Sequence, residues 1–165
     1  MSVFVRKIEK SKWLQPNVMD GDFSADAITH CIKTTNNELS VWEIPSEKSL
    51  DDAVLAIITG PKVASIETID VVTLEPDYLH QSGIGYDKSP GQTFVDDLKG
   101  THYDLKSMTY TKLGIVAGHI SDGIQKERVA RYTVGRQKEV LRNAINSGRL
   151  IASTLNENIQ AKLQT

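Results

Sequence analysis

Cysteine is almost missing from this sequence: Cys31 stands alone among 165 residues. A single thiol closes no intrachain disulfide and anchors no multi-cysteine zinc site. Its place on an apolar helical face marks it as a buried, inert thiol. Aromatic residues make up only 6% of the chain, so aliphatic side chains must build most of the core. No apolar run approaches the ~20 residues that a membrane-crossing helix needs. Met1 to Lys12 mixes apolar with basic residues and lacks the apolar centre of a signal peptide. These absences lead to the expectation of a cytoplasmic protein, bacterial in style, with no membrane partner.

Strong charge of one sign is lacking too. The net charge of −2 gives no whole-chain field to draw nucleic acid or anionic lipid. Several catalytic signatures are also missing. No glycine-rich turn runs into Gly-Lys-Ser or Gly-Lys-Thr, and no Gly-x-Ser-x-Gly elbow occurs. Gly83-Ile84-Gly85 has no third glycine ahead of a helix, so it is no dinucleotide fingerprint. No pair of histidines has His-x-x-x-His spacing, and neither a metal nor a cofactor is expected.

What is present describes an ordinary globular chain. Hydrophobic residues at 39% and charged residues at 24% lie near globular averages, and the length suits one domain. Val3 to Ile8 reads as a strand. A loop through Pro16, Asn17, Asp20 and Gly21 leads to Ser24, which caps a helix whose apolar face carries Ala25, Ile28, Cys31 and Ile32. Leu39 to Ile44 alternates with apolar residues on both faces, the mark of a strand covered from two sides. Ser49 opens a second helix with a stripe of Leu50, Ala53, Val54, Ile57 and Ile58, stopped by Gly60-Pro61. Ile66 to Leu74 reads as a third strand.

The rest divides the chain in two. Tyr78 to Gly100 reads as a long irregular stretch, and such loops often carry function. His102 to Ile120 reads as a helix with Leu105, Thr109, Leu113, Val116, Ala117 and Ile120 on one face. Ile124 to Tyr132 fits either a strand or a helical turn. Thr133 can cap the helical segment after it, and the phase from Leu141 to Leu163 predicts one long bent helix through Gly148. The expectation is an α+β fold: a mixed sheet of three to four strands with flanking helices in residues 1–123, and a basic C-terminal helical extension in residues 124–165, packed on the domain or on a partner subunit. That extension holds eight Lys or Arg against three Glu, a balance of +5 that leaves −7 for the preceding residues.

The sequence supports three functional readings. The first is a non-enzymatic interaction module. A helix that long would overrun a small domain, so its stripe of Leu141, Ile145, Ile151, Leu155, Ile159 and Leu163 would need a cover. The expected cover is a second copy of the chain, making a homo-oligomer, or another protein partner. The second is a small-ligand or enzyme site in the Gly83–Gly100 loop centred on His102, with Asp97 and Asp104 as its carboxylates. A neutral histidine near a helix start suits a base or a ligand. The competing reading tucks the His102 ring against the core. The third is nucleic-acid binding through Arg136, Lys138 and Arg142. The absence of interleaved aromatics and the spread of these cations around the helix argue against it. Among the other residues, Trp42 reads as core and Trp13 as a lid on the sheet edge. His30 reads as a surface residue, His80 as a loop residue and His119 as the edge of an apolar face.

At Leu39-Ser40-Val41-Trp42 and Thr101-His102-Tyr103-Asp104-Leu105 the chain resembles small uncharacterised bacterial proteins of the mobile-element accessory type. The likeness covers roughly the first 120 residues. It implies a cytoplasmic accessory protein and carries over no activity and no catalytic residue.

Overall fold

Val5 alternates with Phe4 and Ile8 along the first strand, and the two sets serve different cores. The same division continues along the next two strands. Trp42, Ile44, Ile69 and Val71 join Val5 on one side, while Leu39, Val41, Val72 and Leu74 join Phe4 on the other. A sheet with apolar side chains on both faces must be covered on both. The computed structural model, which describes residues 1–15, 19 and 21–165, has helices on each side. Pro16, Asn17 and Asp20 of the expected first loop lie outside the described residues.

The elements run β1 (Val3–Ile8), α1 (Lys10–Trp13), α2 (Ala25–Cys31), β2 (Leu39–Ile44), α3 (Leu50–Ile58), β3 (Ile69–Leu74), α4 (Pro76–Gln81), β4 (Tyr86–Lys88), β5 (His102–Leu105), α5 (Tyr110–Gln125), β6 (Val129–Tyr132), α6 (Val134–Asn146) and α7 (Glu157–Gln164). The strands form one six-stranded sheet in the order β4-β5-β2-β1-β3-β6. Every neighbouring pair is antiparallel. Helices α3, α6 and α7 cover one face, and α2, α4 and α5 cover the other. β3 is buried along its whole length.

The α+β class stands, but the expected three to four mixed strands become six antiparallel ones. Two of the additional strands come from segments read otherwise. β4 lies inside the supposed irregular stretch, which also overlaps α4 and a 3-10 segment at Asp96–Thr101. β5 occupies the residues assigned to the start of a helix. His102 and Asp104 face one side there, while Tyr103 and Leu105 face the other, in register with Trp42, Ser40, Val41 and Leu39. The helix begins only at Tyr110, with the Thr109 hydroxyl accepting from the Lys112 N–H. The ambiguous Ile124–Tyr132 segment is divided: Ile124 and Gln125 end α5, and Val129–Tyr132 form β6.

The long C-terminal helix is not formed. α6 ends in a reversal in which Gly148, at φ +78°, donates to the Ile145 carbonyl while Arg149 donates to that of Ala144. This paired-bond stop needs a left-handed residue, which glycine supplies. The chain turns back, and α7 lies alongside α6. Leu141, Leu155 and Ile159 are buried in the core formed with α3, Ile145 and Leu163 pack against it, and only Ile151 stays 67% exposed. The ribbon is therefore covered by its own chain and needs no second copy to bury it. Within residues 124–165, β6 pairs with β3 and α6 packs on α3. No helix among the described residues is long and apolar enough to cross a membrane.

Candidate functional site

β1 and β2 pair only from Val3↔Ile44 to Val5↔Trp42. Beyond that point each strand follows its other neighbour. β1 stays with β3 to Ile8↔Asp70, and β2 stays with β5 to Leu39↔Leu105. The interior of the sheet therefore opens into a fork. Lys7 would face Ser40 if the ladder continued. Instead, the Ser40 carbonyl accepts from Arg6 Nη1 at 2.6 Å, and Arg6 Nε donates to the Cys31 carbonyl at 2.9 Å. Backbone acceptors inside a sheet must find donors, and here a side chain supplies one.

The fork leads into a cleft of about 1320 Å³, wider than most small-molecule sites. Its lining includes Arg6, Ile8, Glu9, His30 and Cys31 together with Trp42, Ala56, Ile57, Pro90 and Gln92. Lys7, Glu67 and Thr68 stand exposed at its mouth. α3 contributes Ala56 and Ile57 to the lining, and of these only Ile57 belongs to the stripe expected from spacing.

At one end of the cleft sits a compact polar cluster. Ser40 Oγ donates to Asp104 Oδ1 at 3.1 Å, Ser89 Oγ donates to Asp104 Oδ2 at 2.5 Å, and His102 Nδ1 lies 2.8 Å from the same Ser89 oxygen. Ser89 has one proton, and a carboxylate can only accept it. Nδ1 must therefore be the atom that donates to Ser89, which leaves Nε2 as a bare lone pair in the neutral ring. Nε2 is 4.0 Å from Asp104 Oδ1 and makes no bond to it. Burial pushes the His102 pKa below its usual value. Asp104 opposes the shift, and the charge of Arg6 adds to it. The ring packs edge-on against Trp42 at 4.9 Å between centroids. Gly91 makes this possible, because a Cβ there would meet the Trp42 ring at 2.4 Å.

This constellation is not a nucleophile relay. In a serine hydrolase the histidine stands between serine and carboxylate, whereas here the serine stands between the other two. It holds a neutral imidazole and a carboxylate still while leaving one imidazole nitrogen free to accept. Among the described residues, no group of three or more His, Cys, Asp or Glu could hold a metal ion. The chain matches no protein-family model, no curated protein and no solved structure.

Of the residues expected here, His102 and Asp104 come together and Asp97 does not. Asp97 pairs with Arg149 at 2.7 Å, which lowers its pKa, and Arg149 also reaches Asp52 of α3. The basic residues of the extension are tied to their own chain. Arg136 lies over the Tyr132 ring at 3.8 Å and reaches Asp51, Lys138 Nζ bonds Thr165 Oγ1, and Arg142 donates to the Leu163 carbonyl. His119 accepts the Glu75 N–H through Nε2 and stacks on Tyr78, and the exposed His30 sits 3.1 Å from Glu9. Trp13 leans on Phe23. Sequence reasoning passed over Arg6, Ser40 and Ser89. Arg6 left a signal: a cation falls between Phe4 and Ile8 in a buried row, where an apolar residue belongs.

Proposed function

We propose that this chain binds a small polar molecule in the cleft between the parted strands β1 and β2, with the Ser89–His102–Asp104 cluster as its hydrogen-bonding end. The observation that carries this reading is the fork itself. An interior sheet seam left unpaired beyond Val5↔Trp42 gives up ladder bonds that a fold selected for stability alone would keep. The seam opens onto a space lined by both apolar and polar groups, the usual composition of a ligand site. The cluster supports the reading independently. Ser40, Ser89 and Asp104 satisfy one another, while Nε2 of His102 remains an acceptor for a ligand donor or a proton.

The experiment is a fragment screen by amide chemical-shift mapping on the full chain. Hits should cluster at Ser40, Ser89, His102, Asp104 and the mouth residue Thr68. Hits that concentrate elsewhere, or a chain that binds no fragment, would end the proposal.

A further inference from the structure

Arg6 is costly where it stands. Its neighbours in the row, Phe4 and Ile8, are buried, Arg6 itself is half-buried, and a cation partly withdrawn from water needs compensation. Arg6 has hydrogen bonds to two neutral carbonyls, and among the described residues no carboxylate forms an ion pair with it. Burial accordingly draws its pKa down to about 10, partly offset by Cys31. The other charges around the cleft do not answer it. Asp70 is held by Arg131 at 2.9 Å, Glu9 faces His30 and Lys12, and Asp104 accepts from two serines. Glu67 and Lys7 line the cleft but are exposed, so water screens their charges.

A guanidinium has five N–H bonds, and those to Cys31 and Ser40 engage only Nε and Nη1. Nη2 takes part in neither bond. Those two bonds also fix the planar group in place, so little entropy is lost when a third partner arrives. An immobilised, uncompensated guanidinium lining a cleft matches a trigonal or tetrahedral oxyanion. We propose that the ligand of this cleft is a small organic anion whose carboxylate or phosphate sits on Arg6 while its body carries a hydrogen-bond donor towards Nε2 of His102. This inference rests on the cleft being a ligand site and specifies what that site takes. The competing role for Arg6 is purely structural, a tie across the fork, and the experiment has to separate the two.

The test titrates the full-length, isotope-labelled chain with benzoate, its neutral counterpart benzamide, and inorganic phosphate at constant ionic strength. Benzoate, phosphate or both should give saturable shifts at Arg6, Lys7 and Ser40, and the benzoate and phosphate arms show which oxyanion is preferred. Benzamide should bind at least about tenfold more weakly than the preferred anion, a difference worth ~1.4 kcal/mol. Bound anion should also raise the titration midpoint of the His102 ring, because it cancels the Arg6 charge that opposes protonation. A tie alone would move neither reading. Arg6→Gln should abolish the preference for anions, and if that variant does not fold, the benzoate–benzamide comparison on the native chain decides. Equal binding of benzamide and benzoate overturns the anion site and leaves the cleft intact. No response to either anion, with neutral fragments still binding in the cleft, does the same. No binding by molecules of any charge removes both proposals.

Discussion

Leu141 offers a direct check on the C-terminal architecture. It is fully buried among residues of α3, the sheet and α7, so Leu141→Ala removes buried volume from a space that can only partly close. Substitutions of this kind cost about 2–5 kcal/mol. A mid-range loss of ~3 kcal/mol lowers the melting temperature of a chain this size by about 6–12 °C. Ile151, 67% exposed, is the matched control, and Ile151→Ala should stay within about 0.5 kcal/mol of the native chain. The assay is urea and thermal unfolding of both variants at two protein concentrations well separated in range. If the helices are covered intramolecularly, the losses are independent of concentration, because unfolding is unimolecular. A native melting temperature that climbs with concentration, or a Leu141→Ala loss below about 1 kcal/mol, would refute the placement of α6 and α7 in this core.

Gly148→Ala should cost about 1–2 kcal/mol in the same unfolding assay, since φ is +78° and no atom lies near the added Cβ, so the penalty is conformational alone; a neutral result would mean the reversal tolerates a right-handed residue. Gly91→Ala drives a Cβ to 2.4 Å from the Trp42 ring, and overpacking of this sort costs about 1–3 kcal/mol. Near-ultraviolet circular dichroism should report a displaced indole, and an unchanged spectrum with unchanged stability counts against the packing described. Burial, then the nearby Arg128, hold the His119 pKa below its ordinary value. From about pH 6.5 down to that depressed value, the unfolded chain binds more protons than the folded one, so stability is complete above the window and is lost as pH falls through it. His102 shifts in the same direction, also chiefly through burial. His119→Gln should flatten part of the slope in urea midpoints measured between about pH 7.5 and pH 5.5; an identical slope would show that His119 does not contribute.

Elements with one strong local signal were readable in the sequence. β1 and β2 occupy the residues their apolar pattern marked, α2 begins after Ser24, whose side chain accepts from Ala27, and Thr133 caps α6 by accepting from Arg136. The failures came where two periods fit the same residues. His102 to Leu105 satisfies both a helical stripe and a two-residue alternation, and only the partner strand β2 decides between them. The phase from Leu141 to Leu163 persists across Gly148 by coincidence of loop length, so periodicity could not expose the reversal. Half of the polar cluster was visible as His102 and Asp104. Ser40 and Ser89 reach it through strand pairing across long sequence separations, which no local pattern encodes. The fork at Arg6 is a property of two pairings that diverge, and the single anomalous cation in β1 was its one local trace.

The strand that comes first in chain order sits in the interior of the sheet. Val5 must meet Trp42 on one flank and Thr73 on the other, and the edge strand β6 is joined to the sheet through β3 alone. An assembly that depends on such distant partners pays its loop-closure entropy early and folds slowly for its size. During synthesis Val3 to Ile8 must wait, sticky and unpaired, until its second partner strand has emerged as far as Leu74. Lesions within Val3 to Ile8 should therefore damage the whole molecule rather than fray a margin.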